Sequence, residues 1–223
     1  MAGTDIDLDR AVEITRTGDI WLFRGHSTAD RMIRMTTNSP VNHVGMAVTI
    51  DDLPPLIWHA ELGRSLPDMW SGTAHRGAQL HNLRDAVLVW ANRYGQRAWL
   101  RQLDPPATRE MEDGVLRTVA RLDGTPFPST AALAGRWFRG RIQLPRRKSR
   151  RPDAREVENA YCAEIVAATY QGMGLLPENR SPDWYDPGRF WSGDHLRLAG
   201  GHTLGGEVAV RVPAEAAERP SDR

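Results

Sequence analysis

Cysteine is almost missing from this 223-residue chain: Cys162 is the only one. A single thiol excludes an internal disulfide framework and any zinc or iron–sulfur site built from several thiolates. Lysine is equally scarce, since Lys148 is the only lysine among 29 basic residues, a bias that reads as genomic base composition rather than function. Neither sign of charge is in excess: 29 basic and 28 acidic residues leave +1. That balance exerts no general pull toward nucleic acid or membranes, so any such preference needs a local patch. Long apolar runs are missing too. The longest is about six residues (AVLVWA, 86–91), against roughly twenty for a membrane span. The N-terminal MAGTDIDLDR has acidic residues and no apolar stretch, so it does not read as a secretory signal. The expectation from these absences is a soluble, cytoplasmic protein.

What is present is enough apolar residue for a core: 40% hydrophobic and 26% charged, close to the globular norm. The chain divides into a polar lead-in (1–16), one domain (17–212) and a polar tail (213–223). Within the domain, GDIWLFRG (18–25), NHVGMAVTI (42–50) and LIWHAEL (56–62) read as strands, the last two forming a hairpin across DDLPP. AQLHNL (78–83), AVLVWAN (86–92) and AWLRQL (98–103) read as further strands. Ser27 can cap a helix over 28–37. PPATRE opens another, whose apolar positions Met111, Val115, Leu116, Val119 and Leu122 follow a 3.6 period. ENAYCAEIVAATYQGMG (158–174) places Cys162, Ile165, Val166, Thr169, Tyr170 and Met173 on one helical stripe, closed by Gly172 or Gly174. A Pro/Asp/Trp-rich loop (177–194) and a Gly-rich β segment (195–212) follow. The fold class is α+β: an antiparallel sheet carrying His43 and His59, packed on a helix that begins near Cys162.

Three side chains can carry chemistry. Cys162 falls in the first turn of its expected helix, where the dipole and unpaired N–H groups favour a thiolate. Its bland alternative is a small buried residue on the helix stripe. His43 opens a strand, and Gly45 two residues on permits another group to approach closely. His59 alternates with Ile57 and Glu61 on the next strand, so pairing of the two strands would bring His43 and His59 together. A group in that place orients a basic imidazole, and Glu61 serves equally well on chemical grounds. Both histidines can also be read as structural. Glu164 reads as a favourable charge in the first helical turn. His75 and His81 read as surface or structural residues. Zinc held by His43, His59, His75 and His81 is set aside, because no HExxH-like spacing exists.

Taken in order, GDIWLFRG, TTNSPVNHVGMAV, LIWHA, GAQLHNL, LDGTPF, YCAEIVAATYQGMGLL and WYDPGRFW carry a resemblance over about 18–191. The chain resembles the permuted papain-like thiol hydrolases, in the YiiX/YebB-like branch of the NlpC-type superfamily. Lecithin–retinol acyltransferase is a more distant relative. The resemblance implies a circularly permuted papain-like fold in which the histidine precedes the cysteine, as His43 precedes Cys162. It implies Cys162 as nucleophile, His43 as base and, by position, His59 as the third residue, where the family often has an acid. Glu61 is the reserve for that place. Asn42 stands where the family usually has Ser, a neutral change. The implied reaction is cleavage of an amide or ester through a thioester, with no metal or organic cofactor. The backbone N–H of Cys162 would be an oxyanion donor.

The stretch RWFRGRIQLPRRKSRR (136–151) holds eight basic residues in sixteen positions. It reads as a solvated insertion, or as a contact with an anionic membrane surface through Arg146, Arg147, Lys148, Arg150 and Arg151, or with nucleic-acid phosphates. The family's lipid acyl hydrolases favour the membrane over nucleic acid. Trp137, beside Phe138, and Tyr161 are the candidate substrate contacts. The substrate class is a small-molecule, peptide or lipid acyl compound. The competing function is a non-catalytic peptide- or lipid-binding module on the same scaffold.

Overall fold

The computed structural model describes residues 5–25, 40–61, 63, 65–124 and 154–214, with the backbone alone for 154–160. Its centre is a seven-stranded sheet in the order β1-β9-β6-β2-β3-β4-β5. The strands are β1 (Ile6–Asp7), β2 (Ile20–Arg24), β3 (His43–Val48), β4 (Leu56–Glu61), β5 (Gly77–Asn82), β6 (Arg97–Arg101) and β9 (Val208–Arg211). All neighbours are antiparallel except β1 and β9. A separate pair, β7 (Leu103–Asp104) and β8 (Thr203–Leu204), lies outside that sheet. The helices among the described residues are α1 (Leu8–Ile14), α2 (Leu83–Tyr94), α3 (Arg109–Leu122) and α4 (Ala154–Gly172). The class is α+β, as the sequence leads one to expect. No helix among the described residues is long and apolar enough to cross a membrane.

Both faces of the sheet are covered, and side-chain alternation assigns each residue to one of them. Leu22, Val44, Met46, Trp58, Ala60 and Leu80 join a core with α3 and α4. Trp21, Phe23, Ala47, Ile57 and Leu100 join a second core with α1 and α2. Hence β3 and β4 are buried at every position, which is why their sequences read as nearly unbroken apolar runs. The face toward α4 is pinned by a buried hydrogen bond. Trp58 Nε1 donates to Thr169 Oγ1 at 3.0 Å, and that hydroxyl donates to the Ile165 carbonyl at 2.8 Å.

Three expectations are corrected. Residues 86–92 are helical, inside α2. A short apolar run has no decisive period, and here the caps decide: the Asn82 side chain accepts from Asp85 N, and Gly95 closes the helix at φ 64°. Leu83, Ala86, Val87 and Trp90 then form its buried stripe. Residues 1–16 are not merely a lead-in, because β1 pairs with β9 and Leu8 and Ala11 of α1 enter the second core. Leu116 of α3, though on its 3.6 period, is 42% exposed. Finally, α4 starts at Ala154, so Cys162 and Glu164 lie beyond its second turn rather than in its first. The expected helix at 28–37 and the basic segment 136–151 with Trp137 lie outside the described residues.

The Trp58–Thr169 bond makes a test of the layer assignment. Thr169→Val keeps the volume but leaves the buried indole N–H without its acceptor, at a cost of about 1–3 kcal/mol. The denaturant midpoint should fall accordingly; an unchanged midpoint would show that Trp58 is not anchored to α4.

Candidate functional site

Strand alternation turns His43, His59, Gln79 and His81 to the same face of the sheet, toward α2. Register brings them together: Phe23 lies opposite His43, His59 opposite Gln79, and Ile57 opposite His81. Asn42 N donates to the Phe23 carbonyl at 3.0 Å. The Asn42 side chain accepts from Gly25 N at 2.9 Å, which holds the entry to β3 against β2. Gly45 supplies the room its position promised. A Cβ there would stand 2.6 Å from Ile57 Cδ1 and 3.4 Å from His59 Cβ.

The side chains form a continuous hydrogen-bonded row. His43 Nε2 is 3.2 Å from His59 Nδ1. His59 Nε2 is 3.1 Å from His81 Nδ1, and His81 Nε2 is 3.1 Å from Gln79 Oε1. The amide sets the direction of the row. Gln79 Nε2 donates to the carbonyls of His75 and Gly77 at 3.1 and 3.4 Å, so its oxygen is the acceptor for His81. In the neutral row His81 Nε2–H therefore donates to Gln79, His59 Nε2–H to His81, and His43 Nε2–H to His59. The Nδ1 lone pair of His43 remains as the basic end.

The row is dry. His59 and His81 are fully buried and His43 is 6% exposed. Trp90 of α2 packs edge-on against both His43 and His59, with centroids 5.2 and 4.8 Å away, and Phe23 flanks His43. Burial disfavours the imidazolium form. It pushes His43 down from its ordinary 6.5 to about 3, with the charge of His81 adding to the effect. Burial, then the charges of His81 and His43, lowers His59 well below its usual range. His81 is lowered by burial, with the carboxylates of Glu61 and Asp68 opposing.

His59, and not Glu61, is the group on His43. Glu61 is buried at the end of β4, where its carboxylate accepts from Ser65 N and Ser65 Oγ. His59, Glu61 and His81 offer ligand atoms all within 4.8 Å of one another, a set able to hold a metal ion. His81, read from sequence as surface or structural, is a buried core member of the row; only His75 keeps the loop position expected for it. Gln79 and Trp90 were missed altogether. The signal for Gln79 and His81 lay in the alternation Gln79–Leu80–His81, which puts both on the face away from the core-facing Leu80.

Cys162 does not join this row. It is fully buried in the core on the α4 face, together with Val44, Trp58 and Tyr161, whereas the neighbours of His43 belong to the α2 face. Among the described residues no Cys162–His43 pair is shown, and a thiol beyond the second turn of α4 gains no helix-start N–H groups. Tyr161, a candidate substrate contact, is 4% exposed within that same core.

The chain matches no family model, and no curated protein matches it. Among solved structures it is similar to one described as the metalloprotein YiiX from Escherichia coli O157:H7. The TM-score is 0.46 and the identity 19%, covering 71% of this chain and 66% of that one. This chain thus spans just under two thirds of that protein's length.

Two predictions follow from the geometry. In Gly45→Ala the new methyl meets the Ile57 side chain, and overpacking of this kind costs about 1–3 kcal/mol; an unaltered melting temperature would mean that β3 and β4 are not this close. The second concerns pH. Histidines whose folded pKa lies below 6.5 are neutral when folded, while the unfolded chain takes up protons. Their stabilising contribution is complete above about pH 6.5 and is lost as pH falls below it, for His43 down to about 3, by up to about 1.4 kcal/mol per pH unit for each imidazole. Urea midpoints of the metal-free chain should fall between pH 7 and 5; midpoints that stay level would contradict the buried row.

Proposed function

We propose that this chain is a hydrolase or acyltransferase acting on an amide or ester bond, built on a permuted papain-like (NlpC-type) scaffold, with His43 as its proton-transferring group. The observation that supports this is the directional row His43–His59–His81–Gln79. Its hydrogen bonds leave one basic lone pair, at His43 Nδ1, on the member that keeps some exposure. When Nδ1 takes a proton from a nucleophile, His43 becomes an imidazolium. Its Nε2 proton can pass to His59 Nδ1, and the His59 Nε2 proton to His81 Nδ1. The charge then rests on His81, within reach of Glu61 and Asp68. The reverse movement returns a proton to the leaving amine or alcohol.

The nucleophile rests on different ground. The family resemblance makes it the Cys162 thiol, which would attack the carbonyl, expel the leaving group and give a thioester for water or another acceptor to open. The burial of Cys162 on the other face favours a second reading, a peptide- or lipid-binding module with no covalent chemistry.

One set of variants separates these readings. The wild-type chain, His43→Ala and Cys162→Ala are assayed on acyl esters and anilides. Alkylation of the single thiol is followed by intact mass across pH in wild type and His43→Ala. The expected result is a loss of about 10²–10⁴-fold in His43→Ala, with Cys162→Ala inactive and the thiol reacting below its ordinary value of about 8.5. Activity that survives in Cys162→Ala but fails in His43→Ala would transfer the nucleophile to water. A chain inert on every substrate, with a thiol indifferent to His43, would overturn catalysis and leave the binding module.

A further inference from the structure

The inner half of the row has a second use. His59, Glu61 and His81 are all buried, and their ligand atoms lie within 4.8 Å of one another. Between the two rings, His59 Nε2 and His81 Nδ1 are 3.1 Å apart. Nitrogens bound to one zinc-like ion at about 2.0–2.1 Å and at near-tetrahedral angles are separated by about this distance. The hydrogen bond between them is thus the size of a metal chelate with a proton in the metal's place. Two imidazoles and one carboxylate are a borderline donor set suited to a divalent ion such as Zn²⁺ or Co²⁺.

The surroundings already hold these ligands as a metal site requires. Gln79 Oε1 accepts from His81 Nε2–H and so presents Nδ1 as the free lone pair toward His59. Ser65 donates to the Glu61 carboxylate through both its backbone N–H and its hydroxyl and fixes it at the end of β4. The neutral state that burial imposes on the imidazoles is also the ligating state.

We infer that His59, Glu61 and His81 form a divalent transition-metal site inside the sheet. Metal binding there does not depend on the catalytic reading. It has a consequence for it, however. With Nε2 on the ion, His59 carries its proton on Nδ1 and donates to His43 Nε2, so the His43 proton moves to Nδ1. The lone pair that makes His43 the basic end of the metal-free row is then gone, and the ion and the proton row exclude each other.

The test is metal binding by the chelator-stripped full chain, with no activity assay involved. Co²⁺ is titrated while its visible d–d absorption is followed, and melting temperature is measured with added Zn²⁺. The wild type should bind one equivalent and melt higher as metal concentration rises. Glu61→Gln, which keeps shape and volume, should weaken binding at least tenfold; His81→Ala should abolish it; Cys162→Ala should bind as wild type does. Should His81→Ala fail to fold, Glu61→Gln decides alone. A wild type with neither absorption band nor stabilisation would overturn the site. So would undiminished binding in Glu61→Gln, or binding lost in Cys162→Ala. An active enzyme that binds no metal would leave the function standing and this site refuted; a metal-binding chain without activity would do the reverse.

Discussion

Everything distinctive in this molecule depends on taking three imidazoles out of water together. Such groups are tolerated only when neutral and only when each N–H finds an acceptor. Each ring supplies one donor and one acceptor, so a row of histidines satisfies itself internally but leaves two loose ends. Gln79 closes one end with an amide oxygen whose orientation is set by its own two donations to backbone carbonyls. The other end is His43. The row is consequently polarised, with its basic lone pair at one end and the carboxylates of Glu61 and Asp68 near the other. Trp90 and Phe23 keep the outer rings dry, and Gly45 lets β4 come close enough for the first contact.

The sheet divides the protein into two chemically different halves. Toward α3 and α4 the strands contribute aliphatic side chains, Trp58 and Trp99, and Cys162 is one small member of that core. Toward α1 and α2 the same strands contribute the histidine row at one end and Trp21, Ile57 and Leu100 elsewhere. A period of two makes this division unavoidable: neighbours such as Trp58 and His59 cannot share a face. Cys162 on one side and His43 on the other is therefore a consequence of register, not of a small displacement. This is what separates the histidine row from Cys162.

Much of the framework was legible because its signals are local. The runs at 18–25, 42–50, 56–62 and 78–83 become β2 to β5 within a residue or two, since β-branched and aromatic residues between turn formers leave few alternatives. The helix over 109–122 announces itself by its 3.6 period and its Thr108 cap. The run AVLVWAN was misleading because its six consecutive apolar residues satisfy either period, and the deciding groups, Asn82 and Gly95, flank it. Leu8 and Ala11 were overlooked because the apolar residues there (Ile6, Leu8, Ala11, Val12 and Ile14) are scattered among charged ones over too short a stretch to mark an element before β9 pairs with β1.

The kinds of residue available for chemistry are a property of the chain: one thiol, a histidine opening a strand before a glycine, a second histidine alternating with a glutamate. Which of them meet is not, because meeting depends on strand register and on which face a helix covers, and both are settled by contacts far apart in sequence. Alternation alone would put His59 and Glu61 on one face; it took the pairing of β4 with β5 to add His81 and Gln79, and the packing of α2 to add Trp90. The same packing placed Cys162 on the far face, since the Trp58–Thr169 bond and the apolar stripe of α4 hold that helix to the other side of the sheet.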